Sequence, residues 1–418
     1  MAEAAKKRLI FVTSRLPWPT NSGRKVSLYH YCRGLHEQYG YEITLFVFPE
    51  HDQCRMVTDK PDFISRVEVA APFSRAEQCK NLLTKGLFGG APLQCALFES
   101  RKSKKLLDRL VEEIKPTVMV FDMIRLAPYM KRYQGKTKCI LDLDDLLSVR
   151  YRRQLTTPYE GNIAGRYAGA LRPSTRRLLG GWLGRVILKT EARRVARAEI
   201  KMARKADGVI LVSEKETARL NEMLGESKAV AVPTGVDVAT FSVAQSIPKK
   251  ENTVGFVGNL SVAANAASLA YIAENILPLL AGVTLEVVGH TPDDIRAKYA
   301  GNPQISLQGE VKNLPAVLGT WQALLAPIAF GTGLKTKIIE AMAAGLPTVT
   351  NAVGAEGIGA TDGTHLLLAE TAEAQAAAVR RLLEKKELAT AIGNAAGTFT
   401  ETHYAWEKCF QAFEALNF

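Results

Sequence analysis

The sequence is poor in the residue groupings that mark small metal, redox or protease sites. Its six cysteines (Cys32, Cys54, Cys79, Cys95, Cys139, Cys409) form no CxxC pair, and its six histidines form no HExxH or ligand-spaced cluster. Zinc-ribbon, thioredoxin-like and metalloprotease patterns are thereby removed, and reduced thiols of a cytosolic protein are the expectation. No window reaches eighteen uninterrupted apolar residues, and the opening MAEAAKKR runs straight into the strand-like LIFVTS without the apolar core or cleavage site of a signal peptide. The expected location is therefore the cytoplasm, in solution or at most on a membrane surface. Internal repeats are absent, and low complexity is confined to an Ala-rich segment around Ala374 to Val379.

What is present is ordinary globular material in quantity. With 418 residues, 47% hydrophobic and 23% charged, the chain exceeds one core and is too apolar for disorder. The net charge of +12 calls for an acidic partner such as a phosphate-bearing substrate, an anionic membrane or nucleic acid. From Arg150 to Lys205 about fifteen Lys and Arg face only Glu160, Glu191 and Glu199, so this stretch carries roughly the whole imbalance. Its first part, Tyr159 to Gly184, mixes Arg with Gly and residues such as Tyr167 and Trp182 and reads as a helical hairpin or a loop. From Arg185 onward it reads as one long helix.

Short β-branched runs alternate with amphipathic stretches of helical period from end to end, the α/β pattern of parallel sheets covered by helices. Strands are expected at Leu9 to Thr13, Ile43 to Phe48, Thr117 to Phe121, Lys138 to Leu143 and Gly208 to Val212. A second series falls at Thr253 to Val257, Thr284 to Val288, Ile305 to Gln308, Ala323 to Pro327 and Thr348 to Thr350. Ser213 with Glu216 reads as a capping box opening a helix, and Pro233, Gly235 and the loose VAQSIPKKEN run place a domain boundary near residue 245.

The strongest chemical signal starts at Gly331, in GTGLKTKIIEAMAAGLPTVTNAVGAEGI. A Gly-rich turn after a strand opens a helix whose free N–H groups and positive dipole end suit phosphate oxygens. Lys335 and Lys337 add cations there, and Glu340 on the same helix is placed to accept from a ribose diol. The bland alternative is a generic turn with solvated lysines.

This stretch resembles the nucleotide-sugar-binding domain of GT-B fold glycosyltransferases, in particular the large family 4 of retaining enzymes, and the whole chain is similar to an exopolysaccharide-type sugar transferase. In that family Glu-Ala-Met-Ala-x-Gly-x-Pro follows another Glu eight residues upstream. Glu340 and AMAAGLP match, whereas Thr332 stands in the earlier acid's place, so backbone groups of Thr332, Gly333 and Leu334 are expected at the donor sugar. VGFVGNLSVAANAASL looks like the family's phosphate-side loop, with Gly258, Asn259 and Asn265; the Arg common near Asn259 is missing, which leaves Lys335 and Lys337 as the cationic clamp. The backbone at Glu310 and Val311 would face the base. PTGVDVATF resembles the family's connector, with Thr234 in place of Asn, and HYAWEKCFQAFEAL its last helix, which crosses back to the first domain.

The first half matches in order. FVTSRLPWPTNSGRKVSLYHYCRGL resembles the opening strand, loop and helix, where Gly23 would let the chain approach the diphosphate and Arg15 and Arg24 would flank the cleft. LDLDDLLSVRYRR places Asp142, Asp144 and Asp145 at a strand end. These carboxylates read as a metal-binding Asp-x-Asp, as caps of the next helix, or as acids facing an acceptor; the last reading is preferred for Asp144. FDMIRLAPY puts Asp122 and Arg125 in the same position on the preceding strand, and the His that many members have in this neighbourhood is absent.

The resemblance implies two Rossmann-like domains facing a cleft: residues 1–245 for the acceptor, with a basic helical insertion at about 150–206 and closed by a helix at 400–418, and residues 246–399 for the donor. It implies transfer of a hexosyl group from a nucleoside diphosphate sugar to a hydroxyl of a lipid-linked or membrane-proximal glycan, with retention. Catalytic roles fall to Lys337, Lys335, Asp144 and Arg125, with no metal or cofactor. The basic stretch would meet an anionic membrane; without an RNP strand, KH loop or zinc-finger spacing, nucleic acid is the lesser partner. A sugar-nucleotide epimerase or hydrolase of the same fold, or a non-catalytic basic binding protein, are the alternatives.

Overall fold

The computed structural model describes residues 7–20, 23–48, 59–156, 182–331 and 333–418, the side chains of 182 and 183 excepted. Most of the Tyr159 to Gly184 segment and all of Thr332 thus lie outside the described residues. The described residues group into two compact units: one within 1–151, 190–234 and 406–418, the other within 152–189 and 235–405.

The first unit is built on β1 (Arg8–Thr13), β2 (Glu42–Val47), β3 (Ile64–Val69), β4 (Val118–Asp122), β5 (Lys138–Asp144), β6 (Gly208–Leu211) and β7 (Ala229–Ala231). All pairings are parallel, in the order β3-β2-β1-β4-β5-β6-β7. Because side chains alternate across a strand, Leu9 and Phe11 enter one core with Ile43, Leu45 and Val120, while Ile10 and Val12 enter the other with Phe46, Met119 and Phe121. A strand buried on both faces needs helices on both, which explains why these strands are continuous apolar runs.

The second unit repeats the plan with β8 (Thr253–Val257), β9 (Thr284–Val288), β10 (Ile305–Gly309), β11 (Ala323–Ala326), β12 (Thr348–Thr350) and β13 (Leu367–Leu368), in the order β10-β9-β8-β11-β12-β13. Gly255 on β8 lies against the indole of Trp321, where a Cβ would fall 1.8 Å from a ring carbon. Each sheet therefore reverses its order beside its first strand, between β1 and β4 and between β8 and β11. At that point the loops leaving the two strands diverge and open a crevice at the carboxyl edge.

Every expected strand is found. The three that sequence reading missed, β3, β7 and β13, are edge strands; in β3 (ISRVEV) only Ile64 is fully buried, so the strand tolerates Arg66 and Glu68, and the other two are three and two residues long. The expected capping box does not form. Ser213 makes no side-chain cap, and Glu216 instead accepts from the Leu146 N–H at 3.3 Å.

The chain changes units at Thr234/Gly235 and again at Ala405/Trp406. Val236 and Ala244 are buried in the second unit's core, so the connector belongs to that unit from Gly235 onward. The final residues belong to the first: the Trp406 indole stacks on His30 at 4.1 Å, and Gly34 meets the Phe410 ring so closely that a Cβ there would lie 2.7 Å from it.

The long helix Trp182–Ala203 forms as expected, and its two acids point inward. Glu191 accepts from the Leu93 N–H at 2.7 Å, at the start of helix Leu93–Phe98. Glu199 accepts from the Ser148 N–H at 3.1 Å and Oγ at 2.6 Å, in the first turn of helix Leu147–Thr156. Each thus satisfies a helix N-terminus from a distance. Burial, with Asp145 and Glu216 nearby and the Ser148 hydrogen bonds opposing, pushes the Glu199 carboxyl up to about 7. A raised acid holds its proton more tightly in the folded state, so the stability it contributes is complete below about pH 4.5 and is lost as pH rises through about 7. Glu199→Gln should flatten the decline in Tm between pH 5 and pH 8, worth on the order of 3 kcal/mol. Thermal unfolding of both proteins across that range checks it, and an equally steep decline in the variant would place the linkage elsewhere.

Candidate functional site

In the second unit the crevice is lined from β8 and β11. Gly258 leaves β8 with its N–H on the Val288 carbonyl at 2.8 Å, and Gly289 lies so close that a Cβ on it would sit 2.3 Å from the Gly258 oxygen. Gly289 also has φ +132°, so only glycine fits there. The exposed Asn259 side chain accepts from the Ser261 N–H at 2.8 Å and closes the turn. Asn265 then bridges two elements. Its Nδ2 donates to the Asn259 carbonyl at 2.9 Å, and its Oδ1 accepts from the Lys337 ammonium at 2.8 Å.

Lys337 lies in the first turn of helix Thr336–Ala343, and its Nζ sits 4.6 Å above the centre of the buried Phe256 ring. A cation at a helix N-terminus opposes the dipole and stands among N–H groups the helix itself leaves unpaired. Burial and the neighbouring Lys335 bring its ammonium down to about 7, with Glu340 opposing. Glu340 follows one turn later on the same helix face. Burial brings its carboxyl up to about 7 against the pull of Lys337, and it accepts no hydrogen bond from the described residues. Two ionisable groups of opposite sign, both poised near neutrality, thus stand on one helix face beside the sheet's reversal point.

The remaining expected donor residues are placed less uniformly. Lys335 turns its ammonium onto the Gly333 carbonyl at 2.6 Å, and Gly333 has φ +65°. Leu334 and Val311 pack on the apolar cluster of Trp321, Ile338 and Met342. Glu310 is exposed just beyond β10. Sequence reading overlooked Asn351, which takes the Ile328 N–H at 3.2 Å and gives to the Ile328 carbonyl at 3.0 Å, while also accepting from the Gly354 N–H at 3.0 Å. It pins the chain leaving β11. Its signal was an Asn directly after a strand and three residues before Gly354. Ser268 adds a second pin, accepting from the Ala329 N–H at 3.3 Å.

In the first unit, Arg24 is the centre of the crevice edge. Its guanidinium meets Asp122 and Asp142 at 2.6 Å each and Asp144 at 3.2 Å. Arg15 and Arg24 are buried, and three carboxylates at adjacent strand ends require cations among them. Asp122 also accepts from the Thr13 hydroxyl at 3.0 Å. Burial alone would raise Asp122, but Arg24 and Arg15 hold it below the usual carboxylate range. Burial, with Asp122 and Asp144 adding to it and Arg24 opposing, brings Asp142 up to about 6. Asp144 is raised by burial against Arg24, with Asp145 contributing.

Asp144 occupies a bulge at φ +65°, and Met123 at the neighbouring strand end has the same φ. Left-handed non-glycine residues at two adjacent strand ends mark a site whose backbone is held by its surroundings. Asp145 pairs with Arg150. The Arg125 guanidinium lies 5.4 Å over the Phe98 ring, bonds the Met123 sulfur at 3.2 Å and helps to lower Asp122. Gly23 begins the helix Gly23–Glu37 that carries Arg24 and accepts from Ser27 Oγ at 3.2 Å. Among the described residues no group of three His, Cys, Asp or Glu is arranged to hold a metal ion.

Residues 251–385 match the family model described as Glycosyl transferases group 1. No curated protein matches the chain in sequence. Among solved structures, sucrose-phosphate synthase from Thermosynechococcus elongatus is 15% identical over 98% of each chain, with a TM-score of 0.68. A glycosyltransferase from Rickettsia africae is 13% identical over 98% of each chain, with a TM-score of 0.64. Anabaena Alr3699/HepE in complex with UDP is 13% identical, covering 98% of this chain and 99% of its own, with a TM-score of 0.63. The second unit therefore carries a glycosyl transferases group 1 domain, and the chain has the GT-B fold of two Rossmann-like domains.

Proposed function

We propose that this protein is a retaining, family 4 type glycosyltransferase that moves a hexosyl unit from a nucleoside diphosphate sugar to a hydroxyl of a lipid-linked or membrane-proximal glycan in polysaccharide synthesis. It does so in the cytoplasm, on the inner face of the membrane, without a metal. The observation that carries the reading is the Lys337 ammonium, held by Asn265 at the N-terminus of a helix where the sheet order reverses, with Glu340 one turn away. A diphosphate brings two negative groups to a place that has cations and N–H dipoles in excess. The UDP bound by Anabaena Alr3699/HepE, which shares the fold, supports the choice of ligand class.

In the reaction the bond from the anomeric carbon to the diphosphate oxygen breaks and one to the acceptor oxygen forms, while the acceptor's proton passes to the departing diphosphate oxygen. The barrier lies in the charge that collects on the departing diphosphate as an oxocarbenium-like centre develops. Donors fixed before the reaction starts lower it without reorganising. Lys337 serves this purpose best when protonated, and an arriving diphosphate supplies the counter-charge that restores its proton. The ionised Glu340 accepts from the ribose hydroxyls. Gly258 and Asn259 bring bare backbone to the phosphates, and Glu310, Val311 and Leu334 border the base and sugar. On the other unit, Asp144 and Arg125 stand on the acceptor side, with Arg24 positioning Asp144.

A thermal-shift comparison of UDP-, GDP-, TDP- and ADP-sugars identifies the donor, since a tight ligand raises Tm by mass action. Product analysis then decides the reaction class: the sugar should move only when an acceptor is supplied, and conversion of donor alone would replace transfer by epimerisation or hydrolysis. Lys337→Ala should lower turnover by about 10²- to 10³-fold with Tm nearly unchanged; full turnover would remove its assigned role. Glu340→Gln should weaken nucleoside diphosphate binding about tenfold in calorimetry. In that variant, where the carboxylate no longer exchanges protons, binding near pH 8 should take up a proton onto Lys337, seen as a dependence of the measured heat on buffer ionisation enthalpy. Turnover should persist in excess EDTA, and restoration by added Mg²⁺ or Mn²⁺ after its loss would overturn the metal-free reading.

A further inference from the structure

Arg153 closes the acid-rich stretch LDLDDLLSVRYRR, and Glu356 lies in GAEGI at the end of the stretch that starts at Gly331. Both fall within the second unit, and they meet across 203 residues of chain. The Arg153 guanidinium takes the carboxylate with both arms of its fork, Nη2 donating to Oε1 at 2.9 Å and Nη1 to Oε2. Nη1 also donates to the Gly331 carbonyl at 2.7 Å. One side chain therefore ties the glycine turn before Lys337 to the segment that follows β12.

Neither end of this tie is loosely held. Arg153 lies in the last turn of helix Leu147–Thr156, where the Thr156 hydroxyl donates to the Arg153 carbonyl and Arg185 to the Leu155 carbonyl, each at 2.9 Å. Carbonyls that a helix end leaves open are thus engaged. Glu356 follows the short helix Ala352–Ala355, capped by Asn351, and the same Asn351 grips Ile328 three residues before Gly331. Side chains hold the turn in succession: Asn351 at Ile328, Ser268 at the Ala329 N–H, Arg153 at the Gly331 carbonyl and Lys335 at the Gly333 carbonyl. An anion site built from N–H groups needs its carbonyl oxygens turned to other partners, since an oxygen facing the anion repels it. Arg153 engages one of those oxygens, and its charge also neutralises Glu356, whose side chain is 18% exposed.

We infer that Arg153 is a positioning residue of the donor site: it sets the Gly331 peptide plane in the turn that leads to the Lys337 helix, and Glu356 aims the guanidinium. A peptide is planar, so holding its oxygen fixes the whole group. Lysine is a poor substitute, because an ammonium lacks the fork that serves a carboxylate and a carbonyl together. This role rests on the reading of the second unit as a nucleotide-sugar site, whereas the hold on the turn is measurable without turnover.

The test uses the full chain, with the UDP-, GDP-, TDP- or ADP-sugar that most raises its Tm as donor. Arg153→Ala should lower kcat about 10- to 100-fold while donor KM changes less than about threefold, because Lys337 and Glu340 remain to bind the nucleotide. Arg153→Lys should recover part of kcat. Arg153→Glu with Glu356→Arg should return the Tm lost in Arg153→Ala but not kcat, since a carboxylate cannot donate to the Gly331 carbonyl. Hydrogen exchange at residues 333–338, followed by mass spectrometry, should be at least about tenfold faster in Arg153→Ala and in the charge-swapped pair alike. Wild-type kcat in Arg153→Ala overturns the proposal. So does a charge-swapped pair whose kcat returns together with its Tm, which would make the contact an ordinary stabilising one. Should the wild type move no sugar from any donor, the reading of transfer falls and the exchange measurement still decides: unchanged protection in Arg153→Ala overturns the hold on the turn.

Discussion

A lysine ammonium placed over a phenylalanine ring, at the positive end of a helix and beside a second lysine, is a charge poorly compensated by the described residues around it. Lys337 is in that situation: Asn265 offers it one amide oxygen, and Glu340 is itself only half ionised near neutral pH. The arrangement costs the folded chain stability, and an arriving dianion offsets that cost. The Gly258–Gly289 approach, the Asn265 bridge and the Asn351 clamp all hold the walls of this pocket in place before any ligand arrives. The proposed leaving-group role of Lys337 draws on preorganisation of this kind.

The first unit solves the opposite problem. Three carboxylates end adjacent strands of one sheet, and a single buried guanidinium spans them. With Arg24 shared among the three acids and Arg15 adding its charge at Asp122, their proton affinities are driven apart: Asp122 is held low while Asp142 and Asp144 are raised. An acid kept near neutrality at a strand end suits contact with a hydroxyl. Arg24 contributes by fixing where each carboxylate points.

The long basic helix shows how burial sorts charge. Its composition is overwhelmingly cationic, yet the two glutamates in its described part are the residues that face inward, where each takes the N–H groups of another helix's first turn. Removing the acids to the interior leaves the exterior more cationic than the sequence average.

The strand-helix alternation, the doubling of the plan and the glycine turn that opens a helix after Gly331 were legible in the sequence, because each depends on local period and on glycine. Lys337, Glu340 and Asn265 were legible through motif spacing, and the structure brings Asn265 onto Lys337 from 72 residues away. The capping reading of Ser213 and Glu216 failed because a buried carboxylate is drawn to whichever unsatisfied N–H lies nearest in space, and that was Leu146. Arg24 could not be seen as a hub, since its partners lie 98 to 120 residues away and meet it only when β4 and β5 line up beside β1. The sequence by itself determined the class of fold, the order of its elements and which residue types could bind a diphosphate, all consequences of short-range pattern. The proton affinities and the burial of both arginines were decided by tertiary structure alone, because dielectric environment and charge separation are properties of distance in space.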